Sequence, residues 1–227
     1  FRFIGPKRYR PSVFNKNNLP RFDLVAISHN HYDHLDIKSL KLIYNKFPKA
    51  IFLVPLGDKK LLEQNGIKNV IELDWWETFR FEPFKLIFTP VQHWSKRTFF
   101  DKNKSLWGGW WIESEDYRFL HLGDTGYSKD FIDIKNKLGK ANMVAIPIGA
   151  YKPRYIMKNS HLDPKEALQT FVDIEAERAV AMHWGTFILS QEKVDDPVFE
   201  IKENLDNFGI TNSQFLILKH GETIELN

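Results

Sequence analysis

No cysteine occurs in the 227 residues, which excludes a disulfide framework and any thiolate metal site. Its absence fits a reducing compartment. No apolar run approaches the roughly 20 residues that a membrane span needs. Charge of one sign is not in excess either: the net charge is only +3, with the lysines spread along the chain. Nucleic acid is therefore not expected as a partner. There is no internal repeat and no low-complexity linker, so a single domain over residues 1–227 is expected. Together these absences suit a cytoplasmic or peripheral membrane protein. Histidine is scarce as well, at 8 residues, so its clustering carries information.

Aromatic residues are plentiful, at 15% with 19 Phe and 7 Trp, enough to build a core. Residues 22–28 form a short, nearly continuous apolar run, the pattern of a buried strand. Leu40, Ile43, Tyr44 and Phe47 then recur at i, i+3, i+4 and i+7, the stripe of an amphipathic helix that Pro48 stops. Residues 50–54 and 70–73 read as further strands, with a short helix over 59–65 between them. This alternation predicts an α/β layer with its helices outside. The next stretch differs: 84–89, 105–113 and 117–122 read as strands with no helix between them, an antiparallel meander. A helix is expected over 131–138 and a buried strand over 143–147. Asp163, Pro164 and Glu166 mark a helix start with a capping box. A strand over 178–182, a helix over 198–208 and strands over 214–218 and 223–226 complete the expectation.

The candidate chemistry is concentrated in one segment. His29, His31, Asp33 and His34 fall within six residues, directly after the first predicted strand. Loops at strand ends are where sheets hold active sites. Imidazole and carboxylate are ligands that zinc accepts without thiolate. In an extended segment His29, His31 and Asp33 share one face, and His34 needs a turn to reach a second position. Ligands presented in two directions suit two metals better than one. His93, Asp124 and His183 each follow another predicted strand. Alone, each has a plain structural reading: a surface loop, a turn former between glycines, or a packed histidine beside Trp184. Their coincidence with the first cluster makes them candidate ligands.

Blocks across nearly the whole chain resemble the phospholipase D family that hydrolyses N-acylphosphatidylethanolamine, within the metallo-β-lactamase superfamily. They are Gly5-Pro-Lys-Arg8, Ile27-Ser-His-Asn-His-Tyr-Asp-His-Leu-Asp36, Val70-Ile-Glu-Leu-Asp-Trp-Trp76, Gln92-His-Trp94, Lys96-Arg-Thr98, Gly123-Asp-Thr-Gly-Tyr127, Ala145-Ile-Pro-Ile-Gly-Ala-Tyr151 and His183-Trp-Gly-Thr186. The resemblance implies an α/β fold, the metallo-β-lactamase αβ/βα sandwich. It implies two Zn2+ ions, or another divalent metal such as iron. His29, His31 and His93 would hold one ion; Asp33, His34 and His183 would hold the other, with Asp124 bridging. It also places His161 near the reacting phosphate, so Asp33, Asp124 and His161 are the candidate catalytic groups. Two departures stand out. The family carries a strand with a Trp-x-Gly-His-Ala-like motif and a Thr-Asp-Pro loop before the Gly-Pro-Lys-Arg segment, so the sandwich is expected to lack its first strands. Ser160 stands where the lipid enzyme has a larger polar amide, which bears on substrate.

The expected reaction is cleavage of a phosphodiester by water activated between two metals. By the resemblance it is of phospholipase D type, releasing N-acylethanolamine and phosphatidic acid. The alternatives are a sister hydrolase acting on a lactone or another phosphodiester, and a non-catalytic relative of the fold. The aromatic pairs Trp75-Trp76, Phe99-Phe100 and Trp110-Trp111 are core or lipid contact. Phe99 and Phe100 lie between Lys96-Arg97 and Lys102, a mixture suited to peripheral contact with an anionic membrane.

Overall fold

The protein is described by a computed structural model that covers residues 8–13 and 19–225. Residues 5–7 of the Gly-Pro-Lys-Arg block lie outside the described residues.

Three parallel strands, β1 (Leu24–Ala26), β2 (Ile51–Pro55) and β3 (Val70–Leu73), make a first sheet in the order β1-β2-β3. The crossovers are α1 (Ile37–Lys46) and α2 (Lys59–Gln64). Asp36 caps α1 by accepting from the Ser39 amide at 2.9 Å. The outer edge of β1 has no strand beside it among the described residues.

A second sheet has seven strands in the order β10-β9-β8-β7-β6-β5-β4. Its antiparallel part is β4 (Thr78–Phe81), β5 (Phe84–Thr89), β6 (Gly109–Glu113) and β7 (Arg118–His121). From β7 onward the pairing is parallel, through β8 (Met143–Pro147), β9 (Arg178–Met182) and β10 (Phe215–Leu216). Helices α3 (Asp130–Leu138), α4 (Arg154–Met157), α5 (Pro164–Ile174) and α6 (Asp196–Asn204) belong to this half. The capping box at Asp163 and Glu166 is formed as expected.

Side-chain alternation along the strands divides the core into layers. In β2, Phe52 and Val54 face α1 and α2, whereas Leu53 faces the second sheet. In β5, Leu86 and Phe88 face the first sheet and Ile87 faces the helices of the second half; Trp110 and Trp111 of β6 divide in the same way. Two sheets therefore pack face to face with helices outside each, an αβ/βα sandwich.

Several expected boundaries are corrected. Residues 105–108 are not a strand: the Leu106 amide donates to Leu56 and the Gly108 amide to Ser28, so this segment ties to the first half instead of pairing with β5. β4 was not expected, because its four residues alternate between exposed and half-buried at the sheet edge and bury little. The expected helix over 198–208 begins at Asp196 and ends in a separate 3-10 turn at Asp206–Phe208. The strand expected over 214–218 pairs only at Phe215 and Leu216. Residues 223–225 form no strand, and 226 lies outside the described residues. Trp110 and Trp111 are core, while Phe99 and Phe100 are 90% and 85% exposed.

Candidate metal centre

Every candidate ligand sits just past the end of a strand, at one edge of the sandwich. The 29–34 loop follows β1, His93 follows β5, Asp124 follows β7, and His183 follows β9. The chain folds sharply there. Gly123 adopts φ +64, and His183 itself is left-handed at φ 56.

The side chains converge on Asp124, which is 3% exposed. Its Oδ2 lies 3.1 Å from His34 Nε2, 3.3 Å from His183 Nε2, 3.9 Å from His93 Nε2 and 4.0 Å from His29 Nε2. Asp33 Oδ2 is 3.4 Å from His34 Nε2 and 3.5 Å from His183 Nε2. His31 Nδ1 faces His93 Nε2 at 3.2 Å. Two ligand groups result, His29-His31-His93 and Asp33-His34-Asp124-His183. His161 joins a third group with His93 and Asp124; its Nδ1 is 4.0 Å from Asp124 Oδ2.

Neighbouring groups orient these rings. Ser28 Oγ contacts His29 Nδ1 at 3.0 Å, and His93 Nδ1 donates to the Ser160 carbonyl at 2.9 Å. Each contact leaves the ring's other nitrogen facing the centre, the arrangement that fixes a metal-binding tautomer. Residue 160 thus acts on His93 through its backbone. His121 faces away from this role: its Nδ1 accepts the Gly123 amide at 3.0 Å.

The residues fit a divalent cation. His29 Nε2, His31 Nε2, His34 Nε2, both His183 ring nitrogens and Asp124 Oδ1 are buried without a hydrogen-bond partner. Orphaned buried polar atoms in this number are rare unless something else satisfies them. Nitrogen and oxygen donors alone suit zinc or iron.

The electrostatics of these residues agree. Burial lowers the pKa of His29 and of His31, and it takes His93 down to about 3, which keeps these rings neutral as ligands. Burial alone would lower His34 too, but Asp124 outweighs it and raises His34 to about 10. His183 is raised for the same reason. Burial pushes the Asp124 carboxyl up, yet His183 and His34 hold it well below the carboxylate range; Asp33, despite its own burial, is held low by the same two imidazoles, 3.5 and 3.4 Å away. The carboxylates that favour positive charge on His34 and His183 would equally favour a cation there, and metal binding would compete with protons for these rings.

A cleft of about 200 Å³ opens beside the centre, lined by Asp33, His34 and His183, by an apolar wall of Trp184, Phe187 and Leu189, and by Arg8 and Thr186. The sequence offered no sign of this apolar wall, because Phe187 and Leu189 lie in a loop without periodicity. It also passed over Asn30, a polar residue between two ligands, whose partners come from distant segments.

Residues 1–184 match a family model described as a beta-lactamase superfamily domain. The chain is 37% identical over 235 aligned residues to N-acyl-phosphatidylethanolamine-hydrolyzing phospholipase D 1 of Caenorhabditis elegans, covering 98% of this chain and 66% of that protein. It is 40% identical over 210 residues to the mitochondrial N-acyl-phosphatidylethanolamine-hydrolyzing phospholipase D of Saccharomyces cerevisiae, covering 89% of this chain and 44% of that protein. The chain therefore spans about two thirds and less than half of these relatives. Among solved structures, an isothiocyanate hydrolase from Delia radicum gut bacteria superposes with a TM-score of 0.73 at 19% identity, over 94% of this chain and 80% of that one. At that identity the likeness concerns the fold.

Proposed function

The chain belongs to the beta-lactamase superfamily, and we propose that it is a zinc-dependent phosphodiesterase of phospholipase D type, acting on N-acylphosphatidylethanolamine. The observation that carries this reading is the convergence of His34, His183, His93 and His29 on one carboxylate oxygen of Asp124. A carboxylate between two ligand groups is suited to bridge a pair of cations. When bound, two such ions supply Lewis acidity and make water a nucleophile near neutral pH.

The chain's own groups do the remaining work. Asp124 and Asp33 carry the negative charge that gathers the cations. His161, with its Nδ1 buried, unpartnered and 4.0 Å from Asp124, is placed to hold a proton for the leaving oxygen. Burial pushes His161 down to about 4, which favours the neutral ring, and a neutral imidazole still carries one N–H to donate. The apolar side chains of Trp184, Phe187 and Leu189 along the cleft suit a substrate with an acyl chain.

The same reading assigns a membrane contact to the 96–102 loop. Asp101 accepts the amides of Arg97 and Thr98 at 3.0 and 2.8 Å, a tight turn that drives Phe99 and Phe100 into solvent. Lys96 and Lys102 flank this tip, the arrangement of an apolar anchor with a basic rim. No helix among the described residues is long and apolar enough to cross a membrane.

The test is product release from a panel that includes N-acylphosphatidylethanolamine, a soluble phosphodiester and a lactone, run in oxygen-18 water. The expected products of the first are N-acylethanolamine and phosphatidic acid, with the label on phosphatidic acid. Label in the alcohol refutes attack at phosphorus. Turnover of the lactone alone assigns the site to a sister hydrolase, and no turnover of any substrate by metal-loaded protein makes the chain a non-catalytic relative.

A further inference from the structure

Asn30 stands between the ligands His29 and His31, and its side chain is drawn into a buried clamp. Its Nδ2 donates to Asp58 Oδ1 at 2.9 Å and to Ser105 Oγ at 2.7 Å. Its Oδ1 accepts the Lys96 amide at 3.0 Å, and its backbone carbonyl accepts Arg97 Nη1 at 2.8 Å. The same Arg97 nitrogen donates to the Leu35 carbonyl at 2.8 Å, just past the last ligand of the loop. Asn30, Asp58 and Ser105 are 5%, 2% and 5% exposed. One amide side chain therefore joins the ligand loop to the turn after β2 and to the 95–105 segment.

We propose that Asn30 is a positioning residue: held by Asp58, Ser105 and Lys96, it sets the direction in which His29 and His31 present their rings. The inference rests on the metal reading of the centre. Its physical basis is the behaviour of a short loop whose neighbouring residues cannot reorient independently. With Asn30 fixed by three side-chain hydrogen bonds, the adjacent backbone is fixed too, and the flanking imidazoles lose the freedom to swing away. Partners one step removed from a metal commonly tune its affinity about 10–100-fold. The clamp also needs a donor amide opposite a carboxylate. Asp58 Oδ2 is buried without a partner, so a second carboxylate at position 30 would face it with like charge and no proton donor.

The experiment is a cobalt(II) titration of chelator-stripped protein, followed by visible absorption, for wild type, Asn30→Asp and Asn30→Asp/Asp58→Asn. Asn30→Asp is expected to weaken one of two cobalt ions roughly 10–100-fold. The double variant restores an amide facing a carboxylate, with donor and acceptor exchanged, and is expected to regain most of that affinity. Ser105→Ala removes one clamp partner only and is expected to weaken the same ion by a smaller factor, which gives a reading even if Asn30→Asp folds poorly. A clamp that served folding alone would lower the melting temperature and leave the titration unchanged. The inference is overturned if folded Asn30→Asp or Ser105→Ala titrates as wild type, or if the double variant shows no recovery. A wild type that binds no cobalt would instead remove the metal reading beneath it.

Discussion

Substitution of Gly123 by Ala tests how tightly the centre depends on the turn that carries Asp124. A Cβ at Gly123 would lie 2.8 Å from the Gly108 carbonyl oxygen and 2.8 Å from Ser28 Cβ, where ordinary contact begins at 3.4 Å. Ser28 is the residue whose hydroxyl contacts His29 Nδ1 at 3.0 Å, so the new methyl pushes on a ligand of one group and on the bridge between both. Gly123 also sits at φ +64, which costs a residue with a side chain roughly 1–2 kcal/mol. Overpacking adds about 1–3 kcal/mol. Gly209→Ala is a matched control: its φ is +66, and a Cβ there meets nothing within 4 Å. Both variants carry the backbone strain, but only Gly123→Ala carries the clash. In a chain of this size each kcal/mol lowers the melting temperature by about 2–4 °C. Gly209→Ala should melt a few degrees lower with unchanged metal content. Gly123→Ala should melt lower still and lose on the order of 10–100-fold in metal affinity and turnover. The assays are thermal melting, metal analysis after dialysis and phosphodiester turnover. Gly123→Ala with wild-type metal affinity and turnover would refute the reasoning.

Three further outcomes are expected. Phe99→Asp with Phe100→Asp should reduce activity on vesicles more than on a soluble short-chain phosphodiester, because both rings lie in solvent and pack on little; equal loss on both would refute a membrane role. Burial pushes the Asp58 carboxyl up to about 6, so between about pH 4 and 6 the folded chain keeps a proton that the unfolded chain releases. Stability from this group therefore falls as pH rises. In denaturant titrations the wild type should lose up to about 3 kcal/mol through this group between pH 4 and pH 8, and Asp58→Asn should lack that part of the pH dependence; the same pH dependence in both would contradict this. Removal of metal by a chelator should lower the melting temperature by roughly 5–10 °C for each site previously held at about a hundred times its Kd, reversibly on adding zinc; an unchanged melt would contradict the fit of the centre to a cation.

Most of the architecture was legible from local pattern. The bounds of β3, β5, β8 and β9 coincide with short, mostly apolar runs, which is the strand signal whether one face is buried or, as in β8, both. β4 escaped because an edge strand of four residues buries too little to leave a signature. Residues 105–108 misled because their apolar content serves contacts to Ser28 and Leu56 instead of a ladder. The ligand residues could be named because scarce histidines followed strand ends. The bridging place of Asp124 came from the family resemblance and not from local pattern, since it depends on turns from separate strands meeting at one oxygen. Asn30 was invisible for a related reason: its partners Asp58 and Ser105 are 28 and 75 residues away in sequence.

The central claim is a two-ion centre held jointly through Asp124. Zinc analysis of wild-type protein reconstituted and dialysed to remove loosely held ions tests it most directly, with Asp124→Ala alongside. The account predicts about two zinc ions per chain in the wild type, and metal and activity lost together in Asp124→Ala. Well-folded wild-type protein that retains no divalent ion and shows no affinity for zinc would contradict it.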